Sequence, residues 1–152
     1  MPTADPAQFL PSLESRLAQL TPTTGRRWGQ MTPHEMICHL SDSFLAMLGE
    51  RNVDRSFAWS PLRQRVTRFV ALQTPLPWPK GVPTLPEVNP HRAGTRPVEF
   101  ERDRTALMAA MRRFVAPDAR YAAHPMFGTM SHHHWMQWTF RHVDHHLRQF
   151  GL

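Results

Sequence analysis

The sequence is short of several residue types, and each shortage excludes a class of protein. One cysteine in 152 residues, Cys38, excludes an intrachain disulfide framework and favours the cytoplasm. No apolar run approaches the ~18 residues of a membrane-spanning helix, and the first twenty residues lack the basic and apolar regions of a secretory signal peptide. We therefore expect a cytoplasmic protein with no membrane partner. Segments with the alternating pattern of β-strands are nearly absent as well.

Lysine is also scarce, although the chain is basic. Lys80 is the only lysine, so arginine supplies almost all of the positive charge behind the formal net charge of +6. Such a charge is compatible with nucleic acid as a partner. The arginines are dispersed, however, and no nucleic-acid-binding motif accompanies them. We expect most of them to lie on solvated helix faces and keep polyanion binding only as a minor alternative.

Apolar residues recur at helical spacing in five segments, which predicts an all-α fold and a single domain over residues 1–152. The predicted helices cover residues 6–20, 33–48, 61–73, 98–116 and 132–150. Consecutive amphipathic helices of this kind predict an antiparallel bundle of four or five helices.

Two of these helices carry specific expectations about their start and their orientation. Thr32 is the predicted N-cap of the second helix, followed by Pro33 in its first position and Glu35 as the partner in a capping box. The third helix has an apolar stripe that we expect to point inward. Its members are Leu62, Val66, Phe69 and Val70.

A proline-rich connection, residues 75–98, separates the third helix from the fourth. Its prolines recur too often for a helix, and connections of this length usually carry function or cross over a bundle. We expect Trp78 and Leu85 to be pinned onto the helices.

Histidine is abundant, with 10 residues, and three of them, His142, His145 and His146, lie within five positions near the end of the last predicted helix. His142 and His146 are four residues apart and share the inward face of that helix with Trp138. His145 lies about 100° round the axis from His146, so we expect it to be a neighbour. Two imidazoles at this spacing can bind one metal ion at about 2.0–2.1 Å. His39, on the inward face of the second helix, is the best candidate for a third ligand.

The remaining histidines and the polar or aromatic residues near the triad receive lesser roles. We expect His34, His91 and residues 132–134 to be exposed. Seven residues are candidates for contacting the ligands or lining a pocket: Asp42, Ser43, His124, Trp135, Trp138, His145 and Gln149. A histidine pair four residues apart also arises without a metal, so a purely structural cluster stays open.

Two segments of the chain resemble a known superfamily. RWGQMTPHEMICHLSDSF, together with HPMFGTMSHHHWMQWTFRHVDHHLRQFG, is similar to the DinB-like superfamily of small helical bundles. The closer likeness is to a branch of bacterial proteins that share the HPxFG turn and the HxDHHLRQFG ending. This resemblance implies a DinB-type four-helix bundle with a divalent-metal site made by His39, His142 and His146. Some members of the superfamily are transferases or isomerases that use bacillithiol, mycothiol or glutathione, and many pair as homodimers.

The functional hypothesis combines the resemblance with the chemistry of three imidazoles. Three neutral histidine ligands leave a metal ion with open positions, which favours a metal-dependent enzyme, either a thiol-dependent transferase or a hydrolase. Its partners are expected to be a small-molecule substrate or a low-molecular-weight thiol. We expect zinc or nickel, with iron or manganese as alternatives. The rival hypothesis is a structural bundle whose metal does no chemistry.

Overall fold

Five α-helices make up the architecture of the protein in a computed structural model that describes residues 5–56 and 58–152. They are α1 (Pro6–Gln19), α2 (Pro33–Met47), α3 (Pro61–Arg68), α4 (Phe100–Phe114) and α5 (His132–Arg148). Within the described ranges there is no β-strand, only an isolated bridge between His124 and Gly128. The predicted all-α class is confirmed. None of the described helices is long and apolar enough to cross a membrane.

The two helices that carry the histidine triad begin at well-defined caps. At α2 the Thr32 hydroxyl accepts the Glu35 N–H (3.2 Å), and the Thr32 N–H donates to the Glu35 carboxylate (2.7 Å), which confirms the predicted capping box. At α5 the Ser131 hydroxyl accepts the N–H of His134 (3.3 Å). Side-chain caps satisfy N–H groups that have no partner inside the helix. The caps therefore fix the residue at which each helix begins.

Aromatic packing holds α2, α4 and α5 together. The α2 helix packs along α4, and α1 packs along α5. Phe44 of α2 contacts Phe114 of α4 and Trp138 of α5, with ring centroids 5.0 and 5.7 Å away. All three rings are buried, and rings at such distances attract one another beyond the area they bury. This cluster places the inward faces of α2 and α5 opposite each other, where the histidines lie.

The predicted orientation of α3 is wrong, because its apolar stripe faces outward. The exposed fractions of its four members, two in α3 and two in the turn directly after it, lie between 43 and 74 %: Leu62, Val66, Phe69 and Val70. The polar side faces the rest of the fold instead. Arg68 donates to the carbonyls of Phe127 and Thr129 (2.9 and 2.8 Å), and Gln64 donates to the carbonyl of Pro125 (3.2 Å). Loop carbonyls need donors, and the polar side of α3 supplies them.

The proline-rich connection crosses over the helices, as expected. After α3 the chain continues as a π-helical turn, Phe69–Gln73, and later forms a short 3-10 helix, Pro86–Val88, which packs on α2. The Trp78 indole N–H donates to the Ala71 carbonyl (2.8 Å). Trp78 and Leu85 both pack, half-buried, against the core. The predicted pinning of these two side chains is confirmed.

Asp42 attaches the end of this connection to α2. Its carboxylate accepts the N–H and the hydroxyl of Thr95 (2.6 and 2.7 Å) and pairs with the Arg51 guanidinium (3.1 Å). The Asp42 side chain is only 2 % exposed. A buried carboxylate is tolerated when charge and hydrogen bonds surround it. Asp42 therefore fixes the connection to the helix that carries His39.

Replacing Asp42 by asparagine is expected to lower the free energy of unfolding by about 2 kcal/mol. The amide carries no charge for Arg51, and its NH2 group faces donors where a carboxylate oxygen accepted hydrogen bonds. Urea unfolding followed by tryptophan fluorescence measures the effect. The matched control is Asp118→Asn at an exposed position, where we expect a change within about 0.5 kcal/mol. Equal stabilities of the two variants would contradict this role for Asp42.

Candidate metal centre

Three histidines from two helices converge on one point. The Nε2 atom of His39 lies 3.1 Å from Nε2 of His146 and 3.4 Å from Nε2 of His142. His39 comes from α2, and the other two lie one turn apart on α5. His39 and His146 are 5 and 9 % exposed. The sequence-based grouping of these three side chains therefore corresponds to a compact, largely buried cluster that can hold a metal ion.

In His39 and His146, the hydrogen bond made by Nδ1 determines whether the converging nitrogen, Nε2, carries a proton or a lone pair. Nδ1 of His39 faces the carbonyl oxygen of Val88 (2.8 Å), and Nδ1 of His146 faces the amide oxygen of Gln149 (2.9 Å). An oxygen of this kind only accepts, so the proton of each neutral ring must be on Nδ1. Nε2 of both rings then carries a lone pair. Two lone pairs 3.1 Å apart repel unless a cation lies between them.

Protonation of one ring would relieve the repulsion between the lone pairs, but the burial of the rings disfavours the protonated form. Burial lowers the pKa of His39, against the opposing effects of the Val88 hydrogen bond and Asp42. Burial lowers the pKa of His142 and His146 well below the usual value, and the neighbouring imidazoles lower both further. Desolvation disfavours the charged form of a histidine. At neutral pH the cluster therefore presents three neutral imidazoles.

The nitrogen separations fit a metal ion. Two nitrogens bound at about 2.0–2.1 Å to a tetrahedral ion lie roughly 3.3 Å apart, and the two observed separations are 3.1 and 3.4 Å. In the described part of the chain, no cysteine or carboxylate joins this group as a fourth ligand. A structural zinc site is normally closed by a fourth protein ligand. A metal held by these three residues would keep positions open to water or another molecule.

His142 is oriented by packing rather than by a hydrogen bond. Its Nδ1 is buried and has no partner among the described residues. The ring lies between Trp138, 4.7 Å away, and Trp78, 5.9 Å away. Trp78 also contacts His145 at 5.9 Å. The proline-rich connection thus covers one side of the cluster with an indole ring.

The other sequence candidates fall into two groups. Three of them, Trp138, His145 and Gln149, contact the ligands. The Trp138 ring packs on His142, and the His145 ring is 5.4 Å from the His146 ring. The Gln149 amide oxygen accepts the Nδ1–H of His146. His124 lies one ring further away, 5.9 Å from Trp138, and stacks on Phe127 at 4.4 Å. Its pKa is lowered to about 3 by burial and by Arg55.

Three candidates are placed away from the imidazoles. Asp42 binds Thr95 and Arg51, as described above. The Ser43 hydroxyl donates to the His39 main-chain carbonyl (2.7 Å), one turn earlier, which is the usual local bond of a helical serine. Trp135 lies about two turns before His142 on α5 and packs on Phe114 (5.5 Å) in the aromatic core. The helical periodicity that placed them on the inward face did not resolve their position along it.

A second group of potential ligands lies on the far side of α2. His34, Cys38 and Asp103 have ligand atoms within 4.8 Å of one another. Here the His34 Nε2 is already paired with the Asp103 carboxylate (2.8 Å), which also accepts the Val98 N–H (3.1 Å). Burial raises the pKa of the Cys38 thiol to about 12, so this sulfur is protonated at neutral pH. The group ties α2 to α4, and His34 is half-buried rather than exposed as the sequence suggested.

Comparison with known proteins adds one finding. Residues 80–151 match the model of a family described as "Protein of unknown function (DUF1569)". The match covers slightly less than half of the chain and includes His142 and His146 but not His39. No curated protein and no solved structure matches the chain.

Replacing Gln149 by leucine is expected to weaken metal binding by about 10–100-fold. The side chain keeps its approximate size, but His146 loses the acceptor that holds its proton on Nδ1 and its lone pair on Nε2. Gln149→Glu is the matched control, because a carboxylate accepts the same N–H and should preserve the affinity. Competition with a chromogenic zinc chelator measures both variants. An unchanged affinity in the leucine variant would show that the hydrogen bond does not orient His146.

Proposed function

We propose that the protein is a DinB-type four-helix bundle and a metal-dependent enzyme, with His39, His142 and His146 holding a divalent transition metal. The observation that carries this proposal is the convergence of three neutral imidazoles without a fourth protein ligand in the described part of the chain. The all-helical fold and the DinB-like segments support it further. Zinc or nickel suits such a nitrogen set best, with iron or manganese as alternatives.

The reaction class that we propose is transfer to or from a low-molecular-weight thiol, or hydrolysis of a small molecule. A divalent ion supplies Lewis acidity when it is bound, which lowers the pKa of a coordinated water or thiol. Side chains and main-chain groups of the protein hold the ligand rings and limit the access of water. Val88 and Gln149 hold two ligand rings in one tautomer. Trp78 and Trp138 cover the third ring with apolar surface, which limits access of bulk water.

The proposal is tested by asking whether the site has an open position. The protein is loaded with cobalt(II), and its visible spectrum is recorded before and after addition of glutathione, then of azide. We expect a change in the cobalt bands that saturates with ligand, and thiol-dependent turnover of an electrophilic substrate that is lost in His142→Ala. Cobalt bands that stay unchanged with every ligand would favour a structural metal site. The burial of His39 and His146 is the observation that favours this second function.

Polyanion binding receives less support from the arginines. Eleven of them donate to carboxylates, carbonyls or hydroxyls of this chain within the described ranges: Arg16, Arg26, Arg51, Arg55, Arg68, Arg102, Arg104, Arg112, Arg113, Arg141 and Arg148. Guanidinium groups that are already paired within the chain offer less uncompensated charge to a nucleic acid. A cytoplasmic location and a homodimer stay predictions.

A further inference from the structure

An open cavity of about 460 Å³ has a wall rich in cations, and one of its lining residues, Trp28, contacts His145 next to the metal centre. Six residues line it: Arg27, Trp28, Lys80, Arg148, Gly151 and Leu152. The volume is within the range of small-molecule sites, ~300–1,000 Å³. Half of the lining residues carry a positive charge, and none of them is an aspartate or a glutamate.

Two of these cations lack a counter-charge. Arg148 is paired with Asp144 (2.7 Å). The side chains of Arg27 and Lys80 have no ion-pair or hydrogen-bond partner among the described residues; Lys80 lies only over the Trp28 ring, 5.0 Å from its centroid. The main-chain oxygen of Leu152 accepts a hydrogen bond from Arg16 (3.0 Å). The cavity therefore holds two cations without an ion-pair partner among the described residues.

The chain makes specific room for the Arg27 guanidinium. Gly151 has a φ of +80°, and a Cβ at this position would lie 2.5 Å from Nε of Arg27 and 2.7 Å from one of its terminal nitrogens. Any other residue would displace the guanidinium. The Arg27 main chain is also fixed, because its N–H donates to the Gln149 carbonyl (2.6 Å). Arg27 is thus held at the cavity by the end of α5.

The same segment contacts the groups that position the metal ligands. Gly29 has a φ of +89° and packs so closely on Gln149 that a Cβ would lie 3.0 Å from its amide nitrogen. The amide oxygen of Gln149 accepts the His146 Nδ1–H. The Trp28 ring is 4.9 Å from the His145 ring. The wall of the cavity is therefore one residue away from a ligand of the metal centre.

We propose that this cavity binds the anionic group, a carboxylate or a phosphate, of a small molecule. Arg27 and Lys80 pair with the anion, and the Trp28 ring forms an apolar wall that leads the rest of the molecule toward the histidines. Charge-assisted hydrogen bonds from a guanidinium suit both kinds of anion. The proposal that the cavity binds an anion depends only on the residues that line it. The further statement that this anion belongs to a substrate rests on the proposed function.

The test is calorimetric titration of the metal-free protein with pyrophosphate and with citrate at low ionic strength. We expect at least one of them to bind, and Arg27→Gln/Lys80→Gln to weaken that binding by roughly tenfold or more. The matched control is Arg65→Gln, an exposed arginine on α3 without a charged partner among the described residues, which should change the affinity less than twofold. The tighter probe identifies phosphate or carboxylate as the preferred group.

His142→Ala separates this proposal from the metal site. The variant should keep its affinity for the anion, because the cavity is lined by other residues. Loss of anion binding in His142→Ala, equal affinities in wild type and the double variant, or no binding of either probe would each overturn the proposal. The proposal would also be overturned if a duplex oligonucleotide bound more tightly than either small anion and bound equally well to the double variant. If anion binding holds but the protein takes up no metal, the proposed function fails and the anion site stands.

Discussion

Replacing His142 by alanine is expected to reduce the bound transition metal from about one equivalent per chain to nearly none. Nε2 of His142 is one of three converging nitrogens, and no other ligand atom of the described residues belongs to the group. Two imidazoles rarely retain an ion against a chelator. Elemental analysis of protein purified without a histidine tag or a metal column measures the content directly.

His145→Ala is the matched control for this experiment. It removes the same side chain three residues along α5, from a ring that packs beside His146 without joining the triad. We expect the metal to be retained. Metal retained by His142→Ala, or lost equally from both variants, would contradict the assignment of ligands. No metal in the wild type after incubation with zinc, nickel and manganese would make the cluster a structural feature.

The grouping of the three histidines was accessible from the sequence because helical periodicity is a local property. His142 and His146 are one turn apart, and His39 lies between buried neighbours, so each had to face the interior. The capping box that sets the start of α2 was also readable. The apolar pattern turns both faces toward the core, but only the packing of the helices decides that these two faces lie opposite each other.

The partners of the triad were not accessible in the same way. Val88 holds His39 through a main-chain carbonyl, 49 positions along the chain and inside the proline-rich connection. A carbonyl oxygen is present in every residue and leaves no signal in the sequence. Lys80 meets Trp28 from the same connection, and only the path of that connection over the helices brings them together.

The outward stripe of α3 shows a second limit of periodicity. Spacing shows that a helix has an apolar side, but the environment of that side depends on what the neighbouring segments need. At α3 the carbonyls of the 125–129 loop are satisfied by Arg68 and Gln64. The position of Asp42 has a similar explanation, because Thr95 and Arg51 reach it from outside its own helix.

The metal-free protein is expected to lose stability steeply as the pH falls below about 6.5. Four buried or half-buried histidines have a lowered pKa in the folded protein: His39, His124, His142 and His146. In the unfolded chain the same residues have the ordinary pKa of about 6.5 and bind protons that the folded protein does not. The unfolded state therefore gains free energy with each proton taken up. Stability is highest above the unfolded pKa and falls as the pH decreases toward the folded values.

The expected slope is large compared with the total stability of a domain. Each histidine contributes up to about 1.4 kcal/mol per pH unit while the pH lies between its folded and its unfolded pKa, and several such residues act together. A typical domain has about 5–15 kcal/mol in total, so the metal-free protein should unfold at a mildly acid pH. Carboxylates such as Asp103, with its lowered pKa, lose their contribution only at more acid pH.

Urea unfolding of the chelated protein at several values between pH 7.5 and 5 measures this slope, and His124→Asn identifies one part of it. The asparagine oxygen can replace the His124 Nδ1 atom as acceptor for the Met126 N–H (3.1 Å), but it does not titrate. We expect the slope to decrease by about 1.4 kcal/mol per pH unit. Phe9→Leu, which removes a buried ring of α1 that packs on Phe140, lowers stability without removing a titrating group and should leave the slope unchanged. A stability that stays constant from pH 7.5 to 5.5 in the wild type would show that the buried imidazoles take up protons without unfolding.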